Sequence, residues 1–257
     1  MSDPRIIPVL LLGKSGLVKT EKFAKPRYIG DPINTVRIFN EKCVDELVLL
    51  DIFATVEGRK PDIGRIKTIA AECRMPLAYG GGISDLDTAT KIIESGVEKV
   101  TLSAAAFANP SLVSDIASVF GSQSVAVVVD YKRGLMGGRT VFTHNGTRKL
   151  DGELSDHVAR MIDAGAGEII FNSISDDGMM SGFDLKLARE IGGTIDTPMT
   201  FVGGCGSPED LKALFATCRY VGAGVGSMFI YKSAMKGVLI NYLQPDVKAE
   251  VLESCRL

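Results

Sequence analysis

Short apolar runs of β type alternate with stretches of helical spacing along the whole chain. The runs predict strands at Ile6–Leu11, Leu47–Asp51, Leu77–Tyr79, Lys99–Leu102, Val125–Asp130, Glu168–Asn172, Met199–Val202 and Tyr220–Val225. Helical patterns lie between them, among them Pro32–Lys42, Asp62–Cys73, Leu86–Ser95 and Pro110–Phe120. Strands that are apolar almost throughout, with no alternating polar face, suit a parallel sheet covered on both sides. Eight βα units in one chain predict a closed (β/α)8 TIM barrel.

Two phrases within that pattern are alike. Pro76-Leu77-Ala78-Tyr79-Gly80-Gly81-Gly82-Ile83-Ser84 reads as strand, glycine turn and helix start, and Pro198-Met199-Thr200-Phe201-Val202-Gly203-Gly204-Cys205-Gly206-Ser207 repeats it. A glycine turn lets backbone approach a ligand, and free N–H groups at a helix start favour an anion, although a tight βα turn needs glycine too. The glycines are offset by 123 residues (80 to 203), and Glu46–Ile52 matches Glu168–Ile174 at an offset of 122. Lys99–Phe107 answers Tyr220–Phe229 in the same way. The chain therefore reads as one domain over 1–257, with half-barrels at about 1–121 and 122–243 and a tail at 244–257. Each half is expected to carry one anion site, from strands three and four and from strands seven and eight.

Two connections exceed the usual length. Leu12–Asp31 contains Gly13-Lys14-Ser15-Gly16 and several lysines, and Lys132–Asp151 reads as a small hairpin inserted after strand five. Each fits either a lid over a site or a plain surface loop.

Composition excludes several classes of function. The 257 residues are 46% hydrophobic, enough for one substantial core. A net charge of −2 gives no electrostatic case for nucleic acid or an anionic membrane. No apolar run approaches the roughly 20 residues of a membrane span, and no signal-peptide pattern opens the chain, so a cytoplasmic location is expected. Cys43, Cys73, Cys205, Cys218 and Cys255 are odd in number and lack C-x-x-C spacing, which reads as reduced thiols. His144 and His157 are lone, expected on a loop and on a helix surface, so neither metal nor cofactor is expected.

From Arg5 to about Leu243 the chain resembles the barrel subunit of imidazole glycerol phosphate synthase, the cyclase of histidine biosynthesis. The resemblance is carried by Arg5-Ile6-Ile7-Pro8, Gly30-Asp31-Pro32, Asp45-Glu46-Leu47, Leu50-Asp51-Ile52, Gly80-Gly81-Gly82-Ile83 and Asn109-Pro110-Ser111-Leu112. It continues through Phe120-Gly121-Ser122-Gln123, Asp130-Tyr131-Lys132-Arg133, Gly165-Ala166-Gly167-Glu168-Ile169, and Asp177-Gly178 with Ser181-Gly182. The family docks a glutaminase on the N-terminal face, and ammonia crosses the barrel to a ribonucleotide bound at the C-terminal face. Two aspartates at the ends of strands one and five supply its acid–base chemistry, a pairing that works when the two hold different protonation states.

The resemblance implies Asp130 as the catalytic aspartate of strand five. Leu11 occupies the other aspartate's position, and no residue from Val9 to Gly13 supplies a carboxylate. The polar pair after strand four has become Ser103-Ala104, a serine before the glycines of strand seven has become Val202, and Asn172 replaces a threonine. Together these departures point to a changed substrate. Gly81, Gly82, Ser103, Asp177, Gly178, Gly203, Gly204, Gly226 and Ser227 still offer backbone donors and small residues to phosphate, and Lys19 matches the family's loop lysine.

At the opposite face the family's ammonia gate, two bases and two acids, is matched at all four positions by Arg5, Glu46, Lys99 and Glu168. Such a ring also serves as a structural seal on a barrel bottom. Asp45 and Glu98 beside it fit an acidic docking patch for the glutaminase. A kept gate with a lost carboxylate implies a paralogue that passes ammonia to a separate sugar amidotransferase in surface-polysaccharide synthesis, its own cyclase chemistry lost or altered. The alternative is a working cyclase relying on Asp130, with Asp51 the nearest other strand-end carboxylate. A third reading is a binding barrel that only activates its glutaminase.

Overall fold

The computed structural model describes residues 4–134, 137–218, 221–232 and 236–253. Eight parallel strands form a closed ring: β1 (Arg5–Leu12), β2 (Leu47–Asp51), β3 (Leu77–Gly80), β4 (Lys99–Leu102), β5 (Val125–Arg133), β6 (Glu168–Ser173), β7 (Met199–Val202) and β8 (Val221–Val225). Each pairs with the next in order, and β8 returns to β1 in the register Arg5↔Gly222 to Pro8↔Val225. The architecture is a (β/α)8 barrel. The predicted strand start at Tyr220 lies outside the described residues, as do Cys255 and the end of the tail.

Helices α1 (Pro32–Glu41), α2 (Ile63–Glu72), α3 (Leu86–Glu94), α4 (Ala104–Ala108), α5 (Ser111–Phe120), α6 (Leu154–Asp163), α7 (Leu185–Ile191), α8 (Pro208–Thr217), α9 (Ser227–Ile230) and α10 (Pro245–Glu253) follow in chain order. Several start where a short polar side chain takes over an orphan backbone N–H. Asp31, Asp62, Asp85 and Asp184 accept from the N–H three residues on, and Ser207 and Asp210 form a reciprocal capping box. All five caps follow strand ends, so the helices begin at the C-terminal mouth.

The period-two alternation of a strand sorts its side chains between two cores. On β1, Ile6, Leu10 and Leu12 join the shell between barrel and helices, while Ile7 and Val9 join the lumen with Leu11 packed against them. The shell also holds Phe171 and Phe201, stacked at 5.2 Å; burying such a side chain contributes roughly 2 kcal/mol. The lumen is narrower and aliphatic: Val48, Ala78, Ala126, Val128 and Ile170 line it.

Both long connections carry hairpins among the described residues. The first has arms Leu17–Glu21 and Ala24–Gly30, with Leu11↔Val18 joining it to β1. The second pairs Arg139–Thr143 with Arg148–Lys149. Its first arm also pairs with Asp130–Arg133, which carries β5 three residues beyond the predicted end at Asp130.

His144 lies in the turn of that second hairpin. His157 corrects the sequence reading of a surface histidine: it is buried, its Nε2 hydrogen-bonds the Asp151 carbonyl at 3.0 Å, and its ring meets Phe107 edge-on at 5.6 Å. Cys43, Cys73 and Cys205 are free thiols. Among the described residues no helix is long and apolar enough to cross a membrane.

The chain after β8 runs back along β1. Tyr242 donates from its hydroxyl to the Ile6 carbonyl at 3.0 Å, Val251 of α10 is buried, and Lys248 pairs with Asp45 at 2.6 Å.

Candidate functional site

The N-terminal end of the lumen is closed by charge. Arg5 reaches both Glu46 and Glu168, the latter at 2.8 Å, and Lys99 also reaches both, at 3.2 and 2.5 Å. Each cation bridges both acids, so the four alternate in sign around one ring. Thr200, the inward residue of β7, donates to Glu168 at 2.5 Å. Burial raises the cost of charge on Glu168, yet Lys99 and Arg5 outweigh it and hold the carboxyl below its ordinary range. Burial likewise opposes the charge on Arg5, and Glu168 and Glu46 overcome it. The structure thus brings together all four residues named for the gate. Asp45 and Glu98 sit at the same end and are exposed, but Asp45 is engaged by Lys248, whereas Glu98 has no ion pair among the described residues.

Above the ring come Ile7, Val48, Ala126 and Ile170, then a cavity of about 580 Å³ at the C-terminal ends of the strands. Its floor is mixed. Val9, Leu11, Leu50, Val128 and Val202 are its apolar lining, and Asp130, Asn172 and Ser103 its polar lining. Asn172 donates to Asp130 Oδ1 at 2.8 Å, and Ser103 donates to Oδ2 at 3.4 Å. Burial dominates and pushes the Asp130 carboxyl up to about 7, although both hydrogen bonds pull it down. A carboxyl poised there can give or take a proton near neutrality. β1 and β5 stand four strands apart in the ring, so Leu11 comes from the strand opposite Asp130.

The two glycine turns adopt matching geometry on this face. Gly81 has φ +110° and Gly203 φ +99°, and a Cβ there would lie 2.2 Å from the Asp51 carbonyl and 2.8 Å from that of Ser173. Packing therefore requires glycine at both, whatever ligand they meet. Ser103 and Gly226 share a backbone conformation, φ −129°, ψ −92° and φ −104°, ψ −86°, and introduce the short helices α4 and α9. Gly81, Gly82, Ser103, Gly203, Gly204, Gly226 and Ser227 all line the cavity, together with Asp177 and Gly178. The Ser227 hydroxyl is buried with no hydrogen-bond partner among the described residues, so it is available to a ligand oxygen.

Lys19 lines the same cavity, its stem against Gly226, but its ammonium is held by Asp177 at 2.5 Å and by the Thr20 carbonyl. Asp177 also accepts from Thr20 Oγ1 and from the Phe23 N–H, which ties the first hairpin to the segment after β6. Asp51 is engaged in a different way. Arg59 reaches both its oxygens at 3.2 Å, and the N–H groups of Phe53 and Ala54 donate to Oδ1. Its lone pairs hold the β2 loop. Among the described residues no cluster of three or more metal-ligating side chains occurs.

Sequence reasoning missed three of these partners. The sequence marks Asn172 only as a replacement for a threonine, whereas it orients Asp130. Thr200 completes the charged ring, and its signal was an inward polar residue at period two within β7. Arg59 is the clamp on Asp51, across a loop that no periodicity describes.

Fold and site define a (β/α)8 barrel with a charged ring at one end of its lumen and a glycine-lined cavity at the other. The family model described as "Histidine biosynthesis protein" matches residues 5–236, and the chain belongs to that family. A protein of Leptospira interrogans with the provisional name imidazole glycerol phosphate synthase subunit HisF is 50% identical over 243 residues, 94% of this chain and 96% of that protein. One of Vibrio vulnificus, provisionally named subunit hisF3, is 46% identical over 254 residues, 98% of each. The imidazole glycerol phosphate synthase subunit HisF of Geobacillus thermodenitrificans is 36% identical over 245 residues, 95% of this chain and 97% of that one. The chain is thus a HisF-like barrel.

Proposed function

We propose that this barrel conducts ammonia from a glutaminase subunit and hands it to a separate enzyme, a sugar amidotransferase of surface-polysaccharide synthesis, its own cyclisation chemistry lost or altered. The observation that carries the reading is the contrast between a complete ring of Arg5, Glu46, Lys99 and Glu168 and the leucine at position 11. Cyclisation through paired carboxylates needs one to give and one to take a proton. Leu11 does neither.

In this reading the glutaminase docks at the ring, against Asp45 and Glu98, and the ring passes ammonia. The aliphatic lumen favours neutral ammonia, because a lone ammonium there would lose its hydration without gaining a partner. The relatives' names call them subunits, which supports a partner for this chain. The higher identity to relatives with provisional or numbered names, 50% and 46% against 36%, supports a divergent branch. The cavity takes a phosphorylated small molecule through Gly81, Gly82 and Ser103 in one cradle and Gly203, Gly204, Gly226 and Ser227 in the other, with Lys19, Asp177 and Gly178 beside the second.

One observation favours the alternative of an active cyclase: the Asp130 carboxyl, pushed up to about 7, is suited to proton transfer. Asp51 does not supply the second carboxylate in that scheme, since Arg59 and two backbone N–H groups hold it. The deciding experiment gives purified chain the ribonucleotide substrate of imidazole glycerol phosphate synthase with ammonium salt, which bypasses the glutaminase. The conduit reading expects no turnover from folded protein. Turnover abolished by Asp130→Asn establishes the cyclase instead.

A further inference from the structure

We infer that the outer rim of the C-terminal mouth, centred on the edge strand Ala24–Gly30, is the surface on which the ammonia-consuming enzyme docks, and that this enzyme presents an acidic face to it. The inference rests on the conduit reading above and adds where the acceptor sits and what chemistry holds it.

Exposed apolar side chains concentrate there. The large ones among the described residues are Tyr28, Val56, Val119, Met179, Val238 and Leu239. Tyr28 (56% exposed), Val56 and Met179 stand on the segments that leave β1, β2 and β6 at the mouth. Val238 and Leu239 adjoin them, because Arg27 donates to the Lys236 carbonyl and lies over the Tyr231 ring, and Lys236 pairs with Glu21. Val119 alone is elsewhere, on α5. Apolar side chains gathered on one face, with an aromatic and an arginine among them, match the make-up of a protein interface.

The strand itself has a free side. Ala24–Gly30 pairs with Leu17–Glu21 and, among the described residues, with no strand beyond, while Pro26 removes one N–H from it. Proline on an unpaired edge keeps the strand from adding to another sheet, which leaves its side chains as the contact surface.

Charge selects the occupant. Lys22, Lys25 and Arg27 are exposed and make no ion pair among the described residues. Of the acids on the same segments, Glu21 is paired with Lys236 and Glu57 with Lys14 and Arg59, while Asp31 and Asp62 cap helix starts and pair with none of the three basic residues. In a chain of net charge −2 this excess is local. None of the three basic residues lines the cavity, so they are not aimed at its ligand. A second copy docked face to face would set these cations against one another, whereas an acidic partner meets them with opposite charge. The function needs such a cover, since ammonia released into neutral water is protonated and no longer nucleophilic.

The test combines purified chain, glutaminase subunit and a sugar amidotransferase as acceptor, comparing Tyr28→Ala and the double variant Lys25→Glu, Arg27→Glu with the unaltered chain. Product is measured with glutamine and with ammonium chloride as nitrogen source, and glutamine hydrolysis is followed in parallel. Tyr28→Ala is expected to weaken the apparent affinity for the acceptor about tenfold. The charge-reversed variant weakens it further, in a manner that depends on salt. Hydrolysis and ammonium-driven product stay unchanged. Full glutamine-driven transfer by both variants overturns the docking surface while leaving the conduit reading in place. So does loss of coupling to the glutaminase, or a homodimer in sedimentation that the variants dissociate without affecting transfer. If the unaltered proteins make product from ammonium but none from glutamine, the conduit reading falls and the docking surface falls with it.

Discussion

The two ends of the barrel lumen are built on opposite principles. At the N-terminal end four charges meet and every one is shared: Arg5 and Lys99 each bridge Glu46 and Glu168. At the C-terminal end burial pushes the Asp130 carboxyl up to about 7, and the strand opposite contributes a leucine. Desolvation acts at both. At Glu168 and Arg5 the attraction of opposite charges within about 3 Å outweighs it and favours the charged form; at Asp130, which meets the neutral donors Asn172 and Ser103, burial wins and the carboxyl is pushed up to about 7. The ring is thus a fixed electrostatic object, and the cavity floor is one that titrates.

Breaking the ring gives the largest effect. Lys99→Met leaves two buried carboxylates sharing Arg5, and urea denaturation should show a loss of about 3 kcal/mol. A change near zero would mean that water compensates the ring and the contrast between the two ends is weak.

The floor should respond to pH with a definite sign. Because folding raises the Asp130 pKa from 3.8 to about 7, the native state binds more protons than the unfolded chain in that window. The contribution to stability is fully present below about 3.8 and is lost as pH climbs through about 7. Asp130→Asn removes this dependence, so its melting temperature relative to the unaltered protein should be higher at pH 8 than at pH 5. Parallel pH profiles for the two proteins would show that the carboxyl is not shifted.

The smallest effect belongs to the exposed counterpart of the ring. Lys248→Ala deletes the pair with Asp45, whose side chains are 21% and 33% exposed, and should cost under about 0.5 kcal/mol in the same denaturation assay. A loss as large as that of Lys99→Met would show that α10 clamps the barrel bottom.

Much of the fold was legible because its signals are local. Near-continuous apolar runs, the helical patterns between them and two glycine phrases 123 residues apart point to eight βα units from residue order alone. Strand β5 was read three residues short, since Tyr131–Arg133 is extended by its antiparallel partner Val141–Arg139 and not by its own pattern. His157 was misplaced for a similar reason: its partners, Asp151 and Phe107, lie outside its own helix.

The sequence by itself determined the barrel, the family, the four charges at one end and the leucine at the other, because each is a matter of residue type at a strand position. The tertiary structure alone decided what those groups do to one another. It placed Asn172 and Ser103 on Asp130, closed Lys19 against Asp177, and gave Asp51 to Arg59. Proton affinity and ion pairing depend on burial and on distances of a few ångströms, and in a barrel those are set between strands far apart in the chain.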